Sequence, residues 1–105
     1  MQITVLSTLS FPEGRNNLKE QEILDVFTRI LRDLLGNDSI VLEMRTTRLD
    51  VPDWDSFNYV NFIVAVEMEL DINFRVADVE SFTSVGDIVA AALTLLEQRS
   101  RVGDV

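Results

Sequence analysis

Asp55-Ser56-Phe57-Asn58-Tyr59-Val60-Asn61-Phe62-Ile63-Val64-Ala65-Val66-Glu67-Met68-Glu69-Leu70 is the stretch whose reading decides the fold. At 100° per residue, Tyr59, Phe62, Ile63, Val66 and Leu70 form one apolar stripe at helical spacing. Phe57, Val60, Val64 and Met68 form a second on nearly the opposite face. A small bundle buries one such stripe and rarely both. The second therefore meets a crossing loop or serves as a partly exposed docking surface, and its start beside Ser56 favours docking. Upstream, Pro52 and the aspartates around it keep the helix from starting early. The spacing predicts a helix over 56–70.

Ser56 then has two readings. It is a simple N-cap, with Asp53 and Asp55 adding favourable charge at the helix N-terminus, or it presents a hydroxyl beside a carboxylate to another enzyme. The chain holds no histidine, no cysteine and a single lysine, Lys19. A serine hydroxyl is a poor nucleophile without a neighbouring base, so a self-contained hydrolase is excluded in practice. A hydroxyl that receives chemistry fits better than one that performs it. Asp50, Asp53 and Asp55 lack the glycine and downstream glutamate of a calcium loop, and Pro52 interrupts them. No metal site is expected.

Working outward, 105 residues with 47% apolar side chains suffice for one packed domain without disulfides or metals. The absence of cysteine suits a reducing cytoplasm. Apolar runs stop well short of a membrane span, and Met1 to Ser10 has no basic leader region, so a cytoplasmic, monomeric domain without membrane insertion is expected. The formal charge is −9, and residues 49–98 carry ten acids against Arg75 alone. That field repels nucleic acid and steers basic protein surfaces toward the second half.

Residues 18–35 repeat apolar positions at three and four through Ile23, Leu24, Phe27, Ile30, Leu31, Leu34 and Leu35. Asn17 is a candidate N-cap with Glu20 in the capping-box position, and Gly36 is the stop. Gln2 to Val5 alternates like a strand without a partner, and Phe11-Pro12-Glu13-Gly14 reads as a turn. Residues 1–16 are therefore expected to be a loosely held tail whose Ile3, Val5, Leu6 and Leu9 dock on the bundle. Residues 37–54 should cross the bundle, using Ile40, Val41, Leu42 and Leu49. A short helix over 76–82 turns Val79 and Phe82 inward. Thr83 or Ser84 caps a last helix, with Asp87 at the third position if Ser84 is the cap. Arg99 and Arg101 suit its C-terminal end, and the chain frays from Val102. The domain thus spans 17–99, with a tail over 100–105.

Asp55-Ser56-Phe57, a helix ending Val66-Glu67-Met68-Glu69-Leu70, the link Asp71-Ile72-Asn73-Phe74, and Phe82-Thr83-Ser84-Val85-Gly86-Asp87-Ile88-Val89 together resemble the acyl carrier proteins. The likeness covers about residues 20–98 and is closest to stand-alone carriers that read Trp-Asp-Ser-Leu at the modification site. It implies an all-α four-helix bundle with three major helices, one short one and a long first loop. It also implies that a phosphopantetheinyl transferase moves 4′-phosphopantetheine from coenzyme A onto Ser56, with Asp55 the adjacent carboxylate. The arm's thiol would then carry acyl groups as thioesters between acyl-ACP synthetases, acyltransferases or synthases with basic docking surfaces. Phe57, Val60, Val64 and Glu67 match the family's partner-facing positions, and Met68 continues the stripe. Such a protein is a carrier, not an enzyme.

Phe57 departs from the family's usual leucine, Asn61 and Met68 stand where acids are common, and Trp54 replaces a small residue. These departures argue for a specialised lipid or polyketide-type pathway. A peptidyl or D-alanyl carrier shares the fold and the serine, and an unmodified helical interaction module would use the same acidic surface and second stripe.

Overall fold

The computed structural model describes the backbone of residues 11–104 and the side chains of residues 19–99. Four helices follow in order: α1, Phe11–Leu35; α2, Ser56–Leu70; α3, Val76–Ser81; and α4, Val85–Asp104. A single 3₁₀ turn at Arg48–Asp50 lies in the long crossing between α1 and α2. The described residues are all-helical apart from loops and turns, and α1 packs against both α2 and α4.

The α1 stripe buries Ile23, Leu24, Phe27, Ile30 and Leu31. Phe27 meets Phe62 of α2 edge to face with ring centroids 5.4 Å apart, a pairing that adds about 0.5–1.5 kcal/mol beyond area burial. Leu31, Val66, Val85 and Val89 complete the fully buried centre, so α1, α2 and α4 share one core. Gly36 ends α1 at φ 64°, and the Asn37 N–H returns to the Arg32 carbonyl at 3.1 Å. That left-handed stop is what glycine allows at least cost.

The crossing segment is half sewn in. Ile40, Leu42, Val51 and Trp54 are buried, whereas Val41 and Leu49 face outward. Its carbonyls also finish another element, because Val85 N–H donates to Thr46 O at 2.8 Å and Gly86 N–H to Met44 O at 2.7 Å. Two N–H groups that a helix start leaves without intrahelical partners are thus satisfied by the loop. Farther on, Ile72 and Phe74 bury the extended link, and Phe74 packs edge-on against Phe82 at 5.7 Å. Val79 and Phe82 pack against the core from the α3 side.

Two helix boundaries differ from the sequence reading. Helix α1 already includes Phe11, the first described residue, so Asn17 lies inside it rather than capping it, and the 11–14 segment is helix rather than turn. Helix α4 continues to Asp104, past the expected fraying at Val102. Arg99 lies near the C-terminal end of its own helix, as expected, and its side chain binds the end of α2, donating to Leu70 O at 2.9 Å and Asp71 O at 2.8 Å. A cation there opposes the partial negative charge of the last carbonyls. The expected strand-like alternation of Gln2 to Val5 and the docking of Ile3, Val5, Leu6 and Leu9 lie outside the described residues.

Candidate functional site

The N-terminus of α2 is organised by Asp55. Its backbone is extended, and its side chain accepts from Asn58 N–H at 2.9 Å while its carbonyl accepts from Tyr59 N–H at 2.8 Å. Asp55 is therefore the cap, and Ser56 is the first helical residue. This corrects the simpler reading of Ser56 as the cap. The hydroxyl is not spent on the helix, and Ser56 is exposed. Asn58 adds a brace, donating from Nδ2 to Asp53 O at 2.9 Å. Asp53 adopts φ 72°, a left-handed conformation that aspartate tolerates better than most residues.

Trp54 anchors the turn from beneath. It is 4% exposed and packs edge-on against Phe62 at 5.2 Å, with Tyr59 at 6.4 Å on another side. The bulky residue before Asp55-Ser56 is thus a core residue that ties the loop to α2. Tyr59 donates its hydroxyl to Val79 O at 2.7 Å and joins α2 to α3. Burial raises the Tyr59 phenol above its usual pKa, with Arg48 pulling it down and Asp87 pushing it up.

The second stripe of α2 is exposed along its length: Phe57 is 74% accessible, Val60 55%, Val64 46% and Met68 78%. The crossing loop does not cover it. Sequence spacing brought these four together correctly. Glu67, read beside them, is half-buried and accepts from Phe74 N–H at 2.8 Å, so its carboxylate holds the link after α2. Glu69 pairs with Arg29 of α1 at 2.9 Å. Both acids at the end of α2 are engaged within the bundle.

Sequence reading missed a cleft between the loop, α2 and α4. Trp54, Tyr59, Phe82, Val85 and Ile88 line it with Arg48, enclosing about 330 Å³. Trp54 and Tyr59 bracket Ser56 in sequence, and their aromaticity was the one local signal. The remaining walls come from the crossing loop around Arg48 and from Phe82 to Ile88, more than twenty positions further on.

Similarity to known proteins decides the family. The chain is 37% identical over 60 residues to the acyl carrier protein of Clostridium acetobutylicum, spanning 57% of this chain and 78% of that one. It is 33% identical over 67 residues to the acyl carrier protein of Clostridium perfringens, spanning 64% and 88% respectively. The chain belongs to the acyl carrier protein family. The solution structure of a holo acyl carrier protein from Geobacter metallireducens superposes with a TM-score of 0.69 at 32% identity, covering 74% of this carrier and 90% of that chain. No protein-family model matches the chain. Among the described residues, no helix of the carrier is long and apolar enough to cross a membrane.

Proposed function

We propose that this protein carries acyl groups as thioesters on 4′-phosphopantetheine attached to Ser56, for a specialised lipid or polyketide-type pathway. The observation that carries the reading is the division of labour at the start of α2. Asp55 takes the cap, and Ser56 stands exposed at the first helical position.

The residues present suit the group. A phosphodiester on Ser56 Oγ would sit at the positive end of a 15-residue helix, beside the N–H groups of Ser56 and Phe57. These first-turn donors have no carbonyl four residues earlier within the helix, and the helix dipole favours negative charge there. The arm supplies a thiol for acyl transfer. The chain's own residues contribute the attachment oxygen, its orientation and the neighbouring Asp55 carboxylate. Activation of the hydroxyl falls to a phosphopantetheinyl transferase, because no histidine or cysteine exists in this chain.

Phe57, Val60, Val64 and Met68 form the face offered to the transferase and to acyl-transferring enzymes. Support for a dedicated pathway comes from what that face lacks. Asn61 and Met68 stand where the resemblance leads one to expect acids, and Glu67 is tied to the link backbone. An unmodified interaction module is the second reading, favoured by the same exposed stripe.

Intact mass after incubation with coenzyme A, magnesium and a broad-specificity transferase separates the two. A gain of one phosphopantetheine, lost in Ser56→Ala with an unchanged urea midpoint, is expected. No gain with several transferases would leave the interaction module as the better account.

A further inference from the structure

We propose that the groove between α1 and α4 is the seat of the chain's own residues 1–10, which fold back over it as a strap. This goes beyond the carrier reading and does not depend on modification of Ser56.

The groove lies between the Lys19–Ile23 turn of α1 and the Leu93–Arg99 stretch of α4 and encloses about 650 Å³. Buried Ile23 and half-buried Leu93 and Leu96 give it an apolar floor. Lys19, Glu22, Glu97 and Arg99 stand around that floor, all exposed. Two bases and two acids leave the rim electrically balanced, so it selects neither an anion nor a cation. An uncharged occupant with apolar side chains matches both features.

Met1 to Ser10 is such a segment. It holds no charged side chain, in a protein where 26% of residues are charged, and it carries Met1, Ile3, Val5, Leu6 and Leu9. The likeness to carriers covers about residues 20–98, so this stretch is additional to what the carrier fold uses. Its length and point of attachment also suit the groove. The described backbone begins at Phe11 within α1, and at 1.5 Å per residue Lys19 and Ile23 lie about 12 and 18 Å farther along the axis. Ten extended residues span about 33 Å. With two or three spent on the reversal, the rest reach back about 23 Å, past both positions. In an extended run successive side chains alternate, so Ile3 and Val5 meet the floor while Gln2 and Thr4 meet the charged rim.

Arg99 links the seat to the recognition helix. The arginine that lines the groove also donates to Leu70 O and Asp71 O at the end of α2. A segment laid against its aliphatic stem holds the guanidinium on those carbonyls, so the strap braces the helix that carries Ser56.

Lys19 is the sole lysine, and its place on the rim makes it the reporter. The full chain, a variant lacking residues 2–10 and the full-length double variant Ile3→Asp/Val5→Asp are treated briefly with an amine-acylating reagent. Lys19 modification is read by peptide mass spectrometry. A segment seated nine-tenths of the time should slow acylation about tenfold against either variant. The ¹³C methyl resonances of Leu93 and Leu96 should move to the same new positions in both variants. The double variant keeps the chain length and decides the matter if the shortened protein fails to fold. Equal acylation of the full chain and the double variant, or methyl resonances that the double variant leaves unmoved, overturns the proposal. Protection that fades on dilution, with a dimer in sedimentation, overturns it as well and gives the groove to a second copy.

Discussion

At the start of α4, Asp87 Oδ2 accepts from both the N–H and the Oγ1–H of Thr83, each at 2.9 Å, while Asp87 N–H donates to Ser84 Oγ at 3.3 Å. The Thr83 donors hold the Asp87 carboxyl below its ordinary pKa, with the Ser84 bonds adding to the effect and slight burial opposing it. A carboxylate whose folded pKa is lowered contributes stability that is present above the unfolded value near 3.9 and is lost as pH falls through the folded value. Because Asp87 is exposed, solvent screening limits the contribution to less than about 1 kcal/mol. Asp87→Asn should lower the urea midpoint slightly at pH 7, and the gap to the wild type should close as the pH falls below the ordinary carboxylate range. A gap that persisted in acid would assign the effect to shape rather than charge. Residue-scale chemistry of this kind was legible, since Ser84 and Asp87 stand at cap and third position. Ser56 was not, because Asp55 and Ser56 are both good caps and only the backbone tells which is used.

Gly86 shows how one element constrains another. Its N–H donates to Met44 O at 2.7 Å, and a Cβ built there would lie 2.8 Å from that same oxygen. Replacing a helical glycine by alanine ordinarily gains ~1 kcal/mol. Here the obstructing atom is backbone in a loop held by buried Leu42 and Thr46, so it cannot swing aside, and overpacking of this kind costs about 1–3 kcal/mol. The clash wins. Gly86→Ala should lower stability by roughly 1–2 kcal/mol in urea unfolding; an increase would show that the loop yields. Element identity was readable from periodicity in all four helices, and the stop at Gly36 from conformation. The 11–17 part of α1 was hidden because Pro12 and Gly14 read locally as a turn. The cleft was hidden for another reason: Thr46, Tyr59 and Ile88 meet only through tertiary packing, which no local spacing encodes. The exposed stripe of α2 was legible because one helix carries all of it.

Across the whole molecule, charge and contact are separated. Residues 49–98 hold ten acids and one base, a long-range field that attracts positive charge. Yet the exposed face of α2 presents Phe57, Val60, Val64 and Met68, with Glu67 and Glu69 bound to Phe74 N–H and Arg29. Steering acts over distances comparable to the Debye length, about 10 Å at 0.1 M salt and about 3 Å at 1 M. Apolar contact, once made, is indifferent to that screening. Salt and mutation should therefore act on different rates. With an immobilised phosphopantetheinyl transferase, raising salt should slow association about tenfold or more while leaving dissociation nearly constant. Val64→Asp, at a position already 46% accessible, should leave the fold intact and speed dissociation about tenfold. Its salt slope should match the wild type, because one added charge barely alters a field built from many. Dissociation that accelerated steeply with salt in the wild type would place acids inside the contact, and the apolar stripe would then be a neighbour of the docking face rather than its centre.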